Sequence, residues 1–451
     1  MTDESPGRSR DLRSRDRKAD DAPATPDEST VIPLTEPREG TPDPVVTPAA
    51  LSQVVARFSA GTGPVAVDAE RASGYRYTHR AYLVQLRRAG SGTALIDPLP
   101  FPDLVELNDA LADTEWVLHA ASQDLACLSE IGLRPRRLFD TELAARLAGF
   151  ERVGLAALTE QLLGRSLEKH HSAADWSTRP LPRDWLTYAA LDVELLVELR
   201  DLLAAELIAQ GKAEWAAEEF AALTEWGSQA ARPRPDPWRR TSGIHKVRGP
   251  RALARVRALW YARDTIAQRR DTAPGRILPD AAIIAAADTD PKDERALFAL
   301  TGFGGRSVRR MSRTWLEALD AVRELTADEL PTAPPSEGPP PPHRWAERDP
   351  VAAARLARCR EVVNRLAAAH AVPPENLLAP DAVRRLAWSP PDPADPDGVA
   401  TALKGYGARS WQIGLTAPGL TDALPLPPPL PLPPPLPLPT VVEPGPPEPV
   451  S

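Results

Sequence analysis

Apolar positions between residues 64 and 120 come in short runs broken by Gly or polar residues. "PVAVD" (64–68), "AYLVQL" (81–86), "TALIDPL" (93–99) and "WVLHA" (116–120) are each about a strand long. Runs of that length between turn-forming breaks predict β-strands. Helical patterning separates the third from the fourth ("DLVELNDALAD", 103–113) and follows the fourth ("SQDLACLSEIG", 122–132). Strands interleaved with helices predict an α/β domain with a mixed central sheet, placed at residues 46–228.

Beyond residue 238 the period changes to that of helices alone. "RALARVRALWYARDTIAQRRD" puts Leu253, Val256, Trp260 and Ala267 at helical spacing, with Trp260 expected on the core side. One all-helical unit is placed at 238–325 and a second at 345–421, joined by a Pro-rich linker at 326–344. The two units look like copies. "LPD" ending at Asp280 and "GFGGRS" (302–307) in the first are echoed by "APD" ending at Asp381 and "GYGARS" (405–410) in the second. Residues 1–45, polar and charged, are expected to be disordered. The tail, 422–451, repeats "LPLPPP" and is expected to be disordered overall, its repeat extended in polyproline II form as a candidate ligand for an aromatic groove of a protein partner or a merely solubilising segment.

The chain is 451 residues long with 42% apolar residues, enough for several cores. Two cysteines are too few for a disulfide framework, and the start of the chain does not resemble a signal peptide; both point to the cytoplasm. No apolar run reaches the roughly 20 residues that span a bilayer. The net charge of −8 argues against a uniformly basic nucleic-acid binder. Yet residues 231–270 hold twelve Arg and Lys against two acids, Asp236 and Asp264, a local footprint for phosphate.

Acids stand where a core should not want them. Asp68 and Glu70 end the first strand two residues apart, so both face the same way while Ala69 faces the core. Asp124 enters a helix just after the fourth strand, and in "TYAALDVELL" Tyr188 and Asp192 are four apart on one helical face. Taken singly, Asp124 is a helix-start acid favoured by the helix dipole, and the helix with Tyr188 and Asp192 is one whose Tyr is partly buried and whose Asp is solvated. Taken together, Asp68, Glu70, Asp124 and Asp192 can converge at one sheet edge, where only cations would relieve their repulsion. All-carboxylate ligation suits Mg²⁺ or Mn²⁺. A pair of such ions, one activating water and one stabilising the leaving 3′ oxygen, suits phosphodiester hydrolysis, and Asp68 is the expected bridge. Tyr188, a poor base at neutral pH, is assigned to orienting the water.

The ordered set "VDAE", "HAASQD" and "YAALD" resembles the three exonuclease motifs of the tyrosine branch of the DEDD superfamily. The flanks "VDAERASGYRYTHRAYLVQL", "FDTELAARLAG" and "DWSTRPLPRDWLTYAALDVELL" narrow the resemblance to the ribonuclease D family, and the unit at 238–325 resembles its HRDC module. The resemblance implies an RNase H-like 3′→5′ exonuclease domain followed by one or two HRDC-like helical domains. It implies a 3′→5′ exoribonuclease releasing nucleoside 5′-monophosphates from tRNA precursors or other small structured RNAs. It also implies Asp68, Glu70, Asp124 and Asp192 as ligands of two divalent ions, with Tyr188 as the motif tyrosine. Substrate contacts are expected from Gln85 (terminal nucleotide), His119 (groove or structural), Lys169 and the arginines Arg248, Arg251 and Arg255 (phosphates). Asp140 is assigned a supporting role, not ligation. A proofreading-type DNA exonuclease and a non-catalytic RNA-binding scaffold are the alternatives; loss of any of the four carboxylates would have favoured the scaffold, and all four are present.

Overall fold

Why "PVAVD" is apolar on both faces follows from where the strand sits. In the computed structural model, which describes residues 31–167, 173–228, 235–332 and 338–425, the strands are β1 (Ile32–Leu34), β2 (Thr62–Arg71), β3 (Ala81–Ala89), β4 (Gly92–Ile96), β5 (Glu115–Leu118), β6 (Arg137–Asp140) and β7 (Arg165–Leu167). The five-stranded sheet runs β4-β3-β2-β5-β6, and β2 is its centre. It pairs antiparallel with β3 and parallel with β5, so the sheet is mixed as expected. A central strand covered on both sides is apolar on both sides; Val65, Ala66 and Val67 are all fully buried.

The parallel strands β2 and β5 end at the same sheet edge. That edge, at the carboxyl ends of the two parallel strands, is where open α/β sheets collect ligands. The helix Arg183–Glu194 lies across β2, β3 and β4. Its Leu186, Ala189 and Ala190 pack on Leu83, Leu95 and Trp176, and the small alanines let it approach the sheet closely.

The N-terminal stretch departs from expectation. β1 pairs in parallel with β7, so the disorder expected through residue 45 does not extend over Ile32–Leu34. The residues that follow β1 brace the helix Arg183–Glu194. Arg38 pairs with Glu194 at 3.5 Å, Thr41 meets Thr187 at 2.8 Å, and Arg183 pairs with Asp43 at 3.0 Å. Composition alone hides this, because the contacts are long-range and polar. β6 also went unforeseen, being four residues with only two apolar ones. Residues 1–30, the pair Lys169 and His170 with His171, and the proline-rich stretch 426–451 lie outside the described residues.

The first helical unit is built on Pro250–Arg270, which starts with Pro at its first position and closes on Asp271 in the left-handed region. Val256, Leu259, Trp238, Phe303 and Trp315 form its buried centre, while Leu253 and Trp260 pack against it partly exposed. The unit is moored to the loop that follows β2. Asp271 Oδ1 accepts from the Tyr77 and Thr78 amides (3.2 and 3.1 Å) and from the Thr78 hydroxyl (3.1 Å). The Tyr77 hydroxyl donates to Asp264 at 3.1 Å, and Arg276 donates to the Gly74 carbonyl at 2.8 Å.

The chain divides into two compact units, residues 1–332 and 333–451. Within the second, the long helix Pro350–Ala369, the short turn Pro374–Leu377 and the helix Pro380–Trp388 repeat the order of Pro250–Arg270, Pro274–Ile277 and Asp280–Thr289 in the first. The parallel order matches the inferred duplication. Among the described residues no helix is long and apolar enough to cross a membrane.

Candidate active site

Strand alternation brings Asp68 and Glu70 onto the face that meets the helix Arg183–Glu194. That helix supplies Asp192. Oxygens of Asp68, Glu70 and Asp192 lie within 4.8 Å of one another. Two unit charges at that separation repel by about 3 kcal/mol at an effective dielectric of about 20. Burial is the largest cause that pushes all three carboxyls above their ordinary proton affinity, Glu70 and Asp192 far above it. For Asp68, burial raises it, while the Ala69 amide and the Arg71 charge act against the rise. For Glu70, after burial, the charges of Asp68, Asp192 and Asp124 act in that order.

Asp124 joins from the neighbouring strand. After β5 the backbone turns through Ala120, a non-Gly residue in the left-handed region at φ 58°. Such a residue costs about 1 kcal/mol or more and persists only when its surroundings hold it. Asp140 holds it: its two carboxylate oxygens accept from the Ala120 amide (3.1 Å) and the Ala121 amide (2.9 Å). The same side chain caps the helix Thr141–Ala148 through the Glu142 and Leu143 amides. Asp140 therefore shapes the turn that delivers Asp124. The Asp124 carboxyl is pushed up to about 8, by burial first and the Asp68 charge second, with Arg71 opposing.

Tyr188 donates to Asp192, and its ring centroid lies 6.4 Å from that of Trp176. Burial and the charges of Asp192, Glu70 and Asp68 push its phenol further above its ordinary value, so it stays neutral at physiological pH. The donor set is all carboxylate oxygen in a cluster whose excess negative charge calls for cations. That fits hard divalent ions.

Comparison with known proteins shows what the chain as a whole resembles. The 3'-5' exonuclease family matches residues 43–208, and the HRDC domain family residues 252–319. Ribonuclease D of Acidiphilium cryptum is 33% identical over 317 residues, covering 68% of this chain and 79% of the relative. The chain belongs to the ribonuclease D family. Ribonuclease D of Gluconacetobacter diazotrophicus is 36% identical over 317 residues, covering 67% of this chain and 78% of that protein. Among solved structures, a protein from Bifidobacterium adolescentis superposes with a TM-score of 0.80 at 39% identity, over 87% of this chain and 99% of that one. Escherichia coli RNase D superposes with a TM-score of 0.63 at 25% identity, over 85% and 98%. The enzyme is thus a 3′→5′ exoribonuclease that uses divalent cations. Residues 338–424, taken from sequence as a second HRDC-like unit, match a family described as a 3' to 5' exonuclease C-terminal domain.

The expected substrate contacts fare differently. Gln85 is the cross-strand partner of Asp68 and shares its face. It is fully buried, and among the described residues neither amide atom has a hydrogen-bond partner. Gln85 thus lies buried beside the carboxylate face. His119 takes the structural option: Nδ1 sits 2.9 Å from the Thr141 hydroxyl, and burial lowers its proton affinity to about 4. Arg251 donates to the carbonyls of Val322, Arg323 and Leu325, closing a helix end. Arg255 donates to the Ala287 carbonyl and pairs with Asp290 at 3.6 Å. Both guanidinium groups join helices within the unit. Arg248 is exposed. Lys169 lies outside the described residues. What sequence reasoning missed is Arg71, whose Nη2 lies 3.7 Å from Asp124 Oδ1.

The raised carboxyl groups make a measurable demand. Burial and the Asp68 charge push folded Asp124 up to about 8, against the ordinary 3.8 of the unfolded chain, with Arg71 opposing. The folded state then binds the extra proton, so stability present at low pH is lost as pH rises through that window. In chelator, the thermal midpoint is expected to fall between pH 5 and pH 9, and saturating divalent ion to flatten the fall. Calorimetric scans across that range test it; a midpoint that climbs with pH in chelator would contradict the assignment.

Proposed function

We propose that the enzyme trims the 3′ ends of tRNA precursors or other small structured RNAs in the cytoplasm, releasing nucleoside 5′-monophosphates. Asp68, Glu70, Asp124 and Asp192 hold Mg²⁺ or Mn²⁺. The ions supply water activation and charge stabilisation at the scissile phosphate. Tyr188, neutral and held at Asp192, orients the attacking water. The chain divides into an exonuclease domain (46–228), an HRDC domain (238–325) and a second helical domain (345–421). Arg248 offers the RNA backbone a phosphate contact on the first helical unit, and the Pro-rich tail offers a ligand to a protein partner.

The single observation that carries this reading is the meeting of Asp68, Glu70 and Asp192 within 4.8 Å at the end of β2, in a chain of the ribonuclease D family. The Escherichia coli relative, described as an exoribonuclease involved in structured RNA processing, supports the substrate class. The test compares a tRNA precursor with a short 3′ trailer, an unstructured RNA of equal length and a DNA copy of the same sequence. The trailer should be removed stepwise up to the edge of the acceptor stem, and the DNA should resist through loss of the 2′-hydroxyl. DNA degraded as fast as RNA, or a trailer left intact while unstructured RNA is consumed, would contradict the reading.

A further inference from the structure

Arg71 directly follows Glu70, and strict alternation would turn it away from the carboxylate face. The β2–β3 register shifts between Glu70 and Arg71, an irregularity of the kind that re-aims a side chain. The guanidinium reaches Asp124, with Nη2 3.7 Å from Oδ1. Arg71 is 28% exposed and Asp124 only 8%, so the cation sits at the rim of a buried anion.

The four acids are therefore not equivalent. Among the described residues, the group with ligand atoms within 4.8 Å of one another is Asp68, Glu70 and Asp192, without Asp124. Three carboxylates stand assembled, and the fourth is held by a cation from the chain itself. A divalent ion engaging Asp124 meets a carboxylate already paired.

Resting on the reading of the four carboxylates as metal ligands, we propose that Arg71 is a positioning residue, the built-in counter-cation of Asp124, which a divalent ion must displace. The site fills in two steps, first at Asp68, Glu70 and Asp192 and then at Asp124. Arg71 sets the ion concentration of the second step. It keeps Asp124 ordered and partly neutralised before that ion arrives, and it raises the concentration at which the full site forms.

The test is calorimetric titration of the full-length protein with Mn²⁺ alone, without RNA. The wild type should take up ions in two steps of unequal affinity. Arg71→Gln should tighten the weaker step about tenfold, the scale of one partly buried charge pair. Arg71→Lys keeps the charge and should titrate as wild type. In an Asp124→Asn background, Arg71→Gln should leave the remaining step unmoved, which a merely structural role for Arg71 would not produce. Should Arg71→Gln fail to fold by circular dichroism, Arg71→Met is titrated in its place. A weaker step that stays at its wild-type affinity, or loosens, overturns the proposal while the carboxylate reading stands. A wild-type protein that takes up no Mn²⁺ at millimolar concentrations overturns the carboxylate reading and the proposal with it.

Discussion

Asp68→Asn is expected to slow hydrolysis of a 3′-extended RNA by about 10³-fold or more, the rate equivalent of losing several kcal/mol of charge stabilisation. RNA binding should stay close to wild type, because the substitution keeps the shape of a side chain that no RNA phosphate would seek. Asp192→Asn should behave alike. Both substitutions also remove one charge from a cluster whose members repel one another within 4.8 Å. In chelator at neutral or alkaline pH the variants should therefore melt higher than wild type. Loss of activity with a gain of stability separates a ligand from a residue that merely supports the fold. An inactive variant that also melts lower would point to structural damage instead.

Removing divalent ions should abolish hydrolysis as completely as losing a carboxylate, and adding them back should restore it. The ions compete with protons for the same oxygens. Burial and the Asp68 charge push the Asp124 carboxyl up to about 8 while Arg71 opposes, so protons and ions compete for it near neutral pH. The ion concentration for half-maximal rate is thus expected to fall as pH rises from about 6 to about 8. Rate measurements against ion concentration at several pH values check this; a half-saturation point independent of pH would mean that the titrating carboxyls are not where the ions bind.

The core of the site was legible because its signals are local. Asp68 and Glu70 reveal themselves by interrupting an apolar strand at a spacing of two, and Tyr188 and Asp192 by a spacing of four on one helix. The central strand β2 was readable for the same reason, as an unbroken apolar run. Features made by long-range pairing were not. β1 is short, and its partner β7 lies far along the chain; the bracing contacts of Arg38 and Thr41 leave no periodic trace. Asp140 could be placed as supportive, but its grip on Ala120 depends on two strands lying side by side. Arg71 was hidden by a register shift that alternation does not foresee. Arg251 and Arg255 have partners within the fold that the sequence does not show. A basic helix looks alike in sequence whether its arginines face phosphate or close the ends of neighbouring helices, and here carbonyl oxygens and Asp290 take them.

A time course with a 5′-labelled RNA bearing a free 3′ end tests the central claim most directly, run on wild type and Asp68→Asn, each in chelator and after reloading with divalent ion. Wild type with ion should shorten the RNA one nucleotide at a time from its 3′ end and release nucleoside 5′-monophosphates, while the other three samples leave the label at full length. Stepwise shortening by Asp68→Asn at the wild-type rate, or by wild type in chelator, would contradict the claim that these carboxylates and their ions perform the cleavage.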